Sequence, residues 1–337
     1  MHKRRPRMGI VMGDAAGIGP EIVLKTLSDA EVCQRCAPLV LGSHEVLDRT
    51  RSILDLPLDL ASVATVEERV DDPATVHVLD CTVERNPDFE WGVADAHNGR
   101  NCIAALCKAV ELACQGVLDG VVLAPLNKEA MHLAGSRHVD EFGLLAELAG
   151  VPKVKAVVKW GDFYRSTVVG HVAFREILAR LTVDEILTTI RFLGTTIQRF
   201  GVPRPQIGVA ALNPHAGEGG VLGDEEQTIL SPAIEEAGRL WPFDVSGPYP
   251  ADTIWHQAVG GPLDGIVYLY HDQGNIGMKA AAFGEATLLY AGLPVCVTSP
   301  GHGTAYDIAG QGRADHGNLV EALDVALEVC AQSTQPI

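Results

Sequence analysis

Short apolar runs alternate with stretches of helical period along most of the chain. Met8 to Met12 has the pattern of a buried strand, and Pro20 to Leu27 continues as a helix. Leu39 to Gly42 and Val76 to Leu79 predict two further strands. Asn101 to Leu118 carries apolar residues at helical spacing, and Gly120 to Ala124 is a strand stopped by Pro125. Later strands are predicted at Lys155 to Val158, Thr167 to Gly170, Ile207 to Leu212, Gly265 to Tyr270 and Pro294 to Thr298. Helices are predicted over Val183 to Phe200 and Gly223 to Arg239. Repeated strand–helix alternation predicts an α/β fold with a largely parallel sheet and helices on both faces. Ligands of such sheets sit beyond the carboxyl ends of the strands, and the motif-rich loops here follow predicted strands.

Composition narrows the class of protein. The 337 residues allow two domains at about 150 residues each. With 47% hydrophobic and 20% charged residues, the chain has the balance of a folded globule rather than a disordered segment. Asp plus Glu is 43 and Lys plus Arg 26, a net charge of −17 that repels nucleic-acid phosphates and anionic lipid. The one dense basic run, His2 to Arg7, reads as a solvated end. The longest uncharged stretch, between Glu285 and Asp307, is broken by Gly292, Pro294, Pro300, Gly301 and Gly303, so no membrane span is expected. The basic start has no apolar run of signal-peptide length behind it. Cys33 and Cys36 form a CxxC without a second pair, so the eight cysteines are expected to be reduced thiols of a cytoplasmic protein.

Four stretches carry candidate chemistry. Gly13-Asp14-Ala15-Ala16-Gly17-Ile18-Gly19-Pro20-Glu21 follows a strand and opens a helix, which suits either an anion at a helix N-terminus or a tight structural turn. His171, His215 and His271 each come just after an apolar run, and three imidazoles with open positions are a catalytic zinc pattern. Each is also readable as a hydrogen-bonded structural histidine. Neighbouring Glu218, Asp252 and Asp272 could orient the rings. His302-Gly303-Thr304-Ala305-Tyr306-Asp307 would let a planar ligand lie on the backbone, with Asp307 accepting from a ribose hydroxyl; a glycine-rich connection fits equally. Lys128 stands just past a strand end, where a lysine can bind a carboxylate, relay a proton or simply face solvent.

Together, Asn213-Pro214-His215-Ala216-Gly217-Glu218, Tyr270-His271-Asp272-Gln273-Gly274, Pro125-Leu126-Asn127-Lys128-Glu129 and the glycine loop at 13–21 resemble the 4-hydroxythreonine-4-phosphate dehydrogenase family from about Met8 to Leu323. The resemblance implies an isocitrate/isopropylmalate dehydrogenase-like fold of two α/β/α domains with a cleft between them. One domain is expected over 1–125 plus 290–337 with the nucleotide loop, the other over 126–289 with the metal, the substrate and the dimer contacts. It also implies a homodimer with its active site between subunits. A divalent metal is implied on His171, His215 and His271, with zinc first and cobalt, nickel or magnesium as options. NAD or NADP is implied at Gly13, Asp14, Gly17, His302, Gly303, Thr304, Ala305 and Asp307. Lys128, Asp252 and Asp272 are the implied catalytic and supporting groups.

Departures from the family pattern bear on the substrate. Members acting on 4-phosphorylated substrates carry Gly-His-Thr-Glu where this chain has Asp140-Glu141-Phe142-Gly143. Leu288 and Val297 stand where an Asn and an Arg help to hold the substrate. The expected substrate contacts are thus Glu141, Phe142, Lys279, Leu288 and Val297, and a phosphate dianion beside Glu141 without that arginine is unfavourable. The first expectation is therefore an unphosphorylated small-molecule hydroxy acid, such as the cis-dihydrodiol carboxylate of terephthalate breakdown, oxidised and then decarboxylated. The alternative keeps 4-hydroxythreonine 4-phosphate or a related phosphorylated four-carbon acid. Two rivals of other classes are a zinc hydrolase and a catalytically idle metal-binding protein.

Overall fold

The computed structural model describes residues 4–69, 72, 75–281 and 286–332. Its strands in chain order are β1 Arg7–Val11, β2 Ala37–Gly42, β3 Asp59–Val63, β4 Thr75–Asp80, β5 Gly120–Leu123, β6 Lys155–Trp160, β7 Phe163–Val169, β8 Gln206–Ala210, β9 Asp244–Tyr249, β10 Gly265–Tyr270, β11 Thr287–Ala291 and β12 Cys296–Pro300. The chain divides into two compact units, one holding the residues up to Val154 and from Leu293 onward, the other Lys155–Gly292.

The first unit is built on β3-β4-β2-β1-β5-β12, parallel throughout. Met8, Ile10, Val11, Leu39, Leu41, Val121 and Val122 are buried, as strands covered on both faces require. Helix Ala96–Cys114 starts five residues before the periodicity predicts, because Asp95 caps it by accepting from the backbone N–H groups of His97 and Asn98. Its inner face, Cys102, Ala105, Leu106, Ala109, Val110 and Ala113, has helical spacing. Gly99 lets that helix meet the backbone of helix Lys128–Leu133; a Cβ there would stand 2.1 Å from the Ala130 carbonyl oxygen. This approach puts the boundary at 154/155 instead of after residue 125, so residues 126–154 belong to the first unit and not to the second, where they were expected.

The second unit, β11-β6-β7-β10-β8-β9, is mixed rather than parallel. β10 runs parallel to β7 and β8, and β8 to β9, whereas β6 is antiparallel to both β7 and β11. Phe163, Ile254, Leu263, Ile266 and Tyr268 form a buried cluster in it. The predicted strands are all present, with ends moved by a few residues. The pattern did not predict β3, β9 or β11. β3 is an edge strand with a half-exposed sequence, and β9 is an edge strand containing Gly247-Pro248, a pair that reads as a turn.

The helix Gly19–Leu27 follows β1, with Pro20 in its first turn. Glu21 is 2% exposed and ties this helix to the chain after the 302–310 loop. Its carboxylate accepts from Lys25 Nζ at 2.8 Å, from the Ala314 N–H at 2.7 Å and from the Gly312 N–H at 3.2 Å. Lys25 Nζ in turn donates to the carbonyls of Gly312 and Ala314. Glu21→Ala leaves two backbone donors and a half-buried ammonium without their acceptor. It is expected to lower stability by about 3 kcal/mol in a urea titration, and a loss under about 0.5 kcal/mol would show that the latch is dispensable.

Candidate functional site

In the first unit, the glycine loop after β1 lies against the loop after β12. Gly13 has φ +78°, and a Cβ on it would meet the Pro125 carbonyl oxygen at 2.5 Å. A Cβ on Gly17 would meet Thr304 Cβ at 2.9 Å, and the Ile18 N–H donates to the Thr304 carbonyl at 3.0 Å. These glycines therefore serve close approach to the protein's own backbone. Asp14 is 1% exposed; it accepts from the Tyr306 hydroxyl and from the Ala16 N–H at 3.0 Å. Burial raises its carboxyl above the usual range, against the pull of those two hydrogen bonds. Gly303 has open space where a side chain would be, and Asp307 is exposed. His302 Nδ1 lies 3.0 Å from the Gly303 carbonyl, and Ala305 adopts φ +41°. The free surface of this candidate nucleotide site is the loop from Gly301 to Asp307.

Also in this unit, Lys128 opens a short helix capped by Asn127, and its Nζ lies 4.0 Å from Glu141 Oε2. The Lys128 side chain is 47% exposed and that of Glu141 only 11%, so the lysine reaches from solvent toward a buried carboxylate. Phe142 is half-buried beside it in sequence, and Val297 is 2% exposed within β12.

The second unit carries the histidines, all three at carboxyl ends of strands: His171 after β7, His215 after β8 and His271 after β10. His171 and His271 are brought together, with ring centroids 5.3 Å apart and tilted by 48°. His271 Nδ1 is 2.7 Å from Asp272 Oδ1, which leaves Nε2 outward. His215 is not brought to them: among the described residues, no group of three or more His, Cys, Asp or Glu side chains stands close enough to share a metal ion. Its ring Nδ1 faces Glu218 at 3.3 Å from the turn Pro214–Gly220. His215, Ala216, Gly217, Glu218 and Gly219 all have positive φ there, so the backbone turns left-handed just where the ring leaves it. Asp252 is exposed in the turn after β9, Lys279 is exposed on helix His271–Ala281, and Leu288 is half-buried on β11.

Spacing gave no role to the residues that hold this arrangement. Gln273 accepts from the Leu269 N–H at 2.9 Å and donates to the Ala211 carbonyl at 2.7 Å, which locks the end of β10 to the end of β8. Glu226, 3% exposed, accepts from the backbone N–H groups of Leu212 and Asn213 and from Asn213 Nδ2. Burial pushes its carboxyl up, but those bonds outweigh burial and hold it below the ordinary value. Arg165 on β7 is 7% exposed; its Nη2 donates to Asn275 Oδ1 at 2.6 Å and its Nε to Met278 Sδ at 2.7 Å. Burial brings this guanidinium down to about 10. Asn275 Nδ2 then donates to the His271 carbonyl at 2.9 Å. A buried cation with no carboxylate partner among the described residues thus holds the first turn of the helix that presents His271. Gln273 lies inside a motif already singled out, whereas Arg165 and Glu226 have no local signal at all.

The two imidazoles fit a metal as far as they go. With Zn–N of about 2.1 Å and roughly 1.1 Å from nitrogen to ring centre, two tetrahedral ligands place their centroids about 5.2 Å apart, against 5.3 Å here. One carries the carboxylate contact usual behind a metal-bound histidine. Asn275→Ala is expected to lower stability by about 2 kcal/mol, because the Arg165 guanidinium keeps only a thioether contact. Asn275→Asp, which keeps an acceptor for Arg165, is expected to recover most of that loss in the same urea titration.

Comparison with known proteins places the chain. A family model described as pyridoxal phosphate biosynthetic protein PdxA matches residues 34–326. The chain is 38% identical over 328 residues to a 4-hydroxythreonine-4-phosphate dehydrogenase of Desulfosudis oleivorans, covering 97% of each. It is 38% identical over 324 residues to a D-threonate 4-phosphate dehydrogenase of Salmonella typhimurium, covering 96% of this chain and 98% of that one. A solved 4-hydroxythreonine-4-phosphate dehydrogenase from Klebsiella pneumoniae superposes with a TM-score of 0.87 at 34% identity, over 98% of this chain and 99% of the other. A terephthalate 1,2-cis-dihydrodiol dehydrogenase from Burkholderia xenovorans is less similar, with a TM-score of 0.65 at 28% identity over 96% and 98% of the two chains. Isocitrate dehydrogenase from Methylococcus capsulatus shares the fold alone, with a TM-score of 0.50 at 16% identity over 96% and 85%. The relatives are dehydrogenases, so the protein is an oxidoreductase acting on a CH–OH donor, and by the near-complete match of its length it belongs to the PdxA family.

Proposed function

We propose that the protein is a metal-dependent, nicotinamide-linked dehydrogenase of a four-carbon hydroxy acid bearing a 4-phosphate, of the 4-hydroxythreonine 4-phosphate or D-threonate 4-phosphate type. The observation that carries this reading is the near-full-length identity to relatives bearing those two names. The sequence placed an unphosphorylated dihydrodiol carboxylate first, on the departures around Glu141. The terephthalate enzyme is the more distant in both identity and shape, and the phosphorylated substrate is the better supported of the two. The electrostatic objection also weakens, because the Glu141 carboxylate is buried and faces the Lys128 ammonium.

A bound divalent metal would act as Lewis acid on the substrate hydroxyl, and a bound nicotinamide would accept the hydride. His171 and His271 would hold the metal, with His215 as third donor once the turn carrying it moves; imidazole donors favour zinc, cobalt or nickel. Asp272 holds the His271 tautomer that exposes Nε2. Lys128, half in solvent, can contact the substrate and move a proton to or from it. Asp252 and Lys279, both exposed in the second unit, remain available to orient the substrate. The exposed Asp307 carboxylate would accept from a ribose hydroxyl and repel a 2′-phosphate, which favours NAD over NADP. Oxidation at the carbon β to the carboxylate gives a β-keto acid prone to lose carbon dioxide. We also infer a cytoplasmic homodimer with its site at the subunit interface. Phe174, Leu178 and Ile276, at 77%, 57% and 71% exposure, are large apolar side chains open for such a contact.

Reduced-nicotinamide absorbance tests the reading. With zinc and NAD, kcat/KM is expected to be at least about 100-fold higher for the 4-phosphorylated acid than for its unphosphorylated counterpart. Preference for a dihydrodiol carboxylate would reverse the substrate assignment. His271→Ala is expected to lose bound metal and about 10³-fold or more in kcat while keeping its melting temperature within a few degrees. Retention of metal and turnover in that variant would remove His271 from the set.

A further inference from the structure

Two cysteines of the first unit, Cys296 and Cys330, meet at the amino-terminal ends of its strands, away from the loops described above. Cys296 opens β12 and Gly120 opens β5, and the two are partners in the parallel ladder, so their side-chain positions share one face. Gly120 leaves its position empty, and Cys330, near the end of helix Gly317–Gln332, fills it: a Cβ on Gly120 would stand 3.2 Å from Cys330 Sγ. The Cys296 thiol donates to Cys330 Sγ, whose own thiol donates to the Asp119 carbonyl at 3.2 Å.

The surroundings suit one reactive thiol and one that resolves it. The bond from Cys296 draws the Cys330 thiol below its ordinary value, against burial and the Asp119 charge. That charge is itself met by Arg4, 2.9 Å from Asp119 Oδ1, and by the Arg7 N–H, 2.6 Å from Oδ2. Cys330 is half-buried and the residues after it, Ala331 and Gln332, are exposed, so solvent lies close to its sulfur. Cys296, 4% exposed, is shielded from direct attack. The CxxC pair is the poorer candidate. Cys33 is 6% exposed and Cys36 fully buried, and their thiols donate to the carbonyls of Leu27 at 3.7 Å and Val32 at 3.5 Å. Burial pushes Cys36 up to about 12 and raises Cys33 as well, so neither thiolate is favoured.

We propose that Cys296 and Cys330 form an oxidation site that takes a small hydroperoxide and closes to a reversible disulfide between β12 and helix Gly317–Gln332. The Cys330 thiolate attacks one peroxide oxygen; an S–O bond forms, the O–O bond breaks, and the other oxygen takes a proton and leaves as water or an alcohol. Cys296 then attacks the sulfenic sulfur; the S–S bond forms, and the oxygen leaves as water with the Cys296 proton. Two thiols lose two electrons and one hydroperoxide gains them. The bridge ties the helix whose Leu319, Ala322, Leu323 and Ala326 are buried to the strand that leads into the 302–310 loop.

Hydrogen peroxide in small excess, followed by alkylation in denaturant and a non-reducing digest read by mass spectrometry, tests this on the folded wild-type chain. The expected product is a peptide pair joined through Cys296 and Cys330, two hydrogens lighter than the separate thiol peptides and released by dithiothreitol. It is expected to form at least about tenfold faster than a Cys33–Cys36 bridge. In Cys296→Ser the resolving thiol is gone, and dimedone is expected to trap Cys330 as the sulfenic acid. Cys330→Ser is expected to leave Cys296 open to alkylation after the same treatment. The wild-type digest decides the matter even where a variant folds poorly. The proposal is overturned if wild-type Cys296 remains fully alkylated after peroxide, if the Cys33–Cys36 bridge forms first, or if Cys330 is found bridged to another chain. It is also overturned if Cys330 takes no dimedone in a Cys296→Ser variant with a native melting curve.

Discussion

A chain leaving the carboxyl end of a strand loses its ladder partners, and its backbone groups must then be met by side chains or stay unmet in the interior. This constraint shapes the ends of β8 and β10 and the chain after the 302–310 loop. Glu226 takes the N–H groups of Leu212 and Asn213 where the chain leaves β8. Gln273 bridges the ends of β10 and β8, and Glu21 takes two N–H groups of the chain that follows the 302–310 loop. Each is a polar side chain held mostly out of solvent and engaged with backbone groups. The segments carrying His215 and His271 and the chain after the 302–310 loop are placed by these ties, not by the strands alone.

The same constraint explains which parts were legible in the sequence. Strand cores such as Met8 to Val11 and Gly265 to Tyr270 declare themselves, because burial on both faces demands an unbroken apolar run. Edge strands carry no such demand, and β3 and β9 were invisible for that reason. The motifs located the loops correctly but not the use of each residue. Gly13 and Gly17 read as room for a ligand, yet their missing side chains make room for the Pro125 carbonyl and Thr304. Glu226 and Arg165 were illegible because their partners are 13 and 110 residues away, at distances that no local period records.

Substrate selection illustrates how a charge inferred from sequence changes meaning in three dimensions. An acid replacing a neutral phosphate partner argues against a phosphate only if its charge faces the phosphate. Glu141 is almost enclosed, and the Lys128 ammonium is 4.0 Å from its carboxylate. At that distance the pair presents a much smaller net field than a lone carboxylate does. The aliphatic Val297 has a similar history: at 2% exposure inside β12 it fills the strand's packing, and its identity says little about what a ligand meets.

The turn Pro214–Gly220 is where the remaining demands collide. Left-handed backbone costs about 1–2 kcal/mol for each residue with a side chain, and His215, Ala216 and Glu218 all adopt it. The cost is borne next to a rigid anchor, since Glu226 fixes Leu212 and Asn213 just upstream. Two imidazoles already stand at the spacing of shared coordination, on elements held by Arg165, Asn275 and Gln273. The candidate donors thus differ in how firmly the fold holds them: His171 and His271 stand as a pair, whereas His215 leaves a left-handed turn whose backbone is costly for residues with side chains.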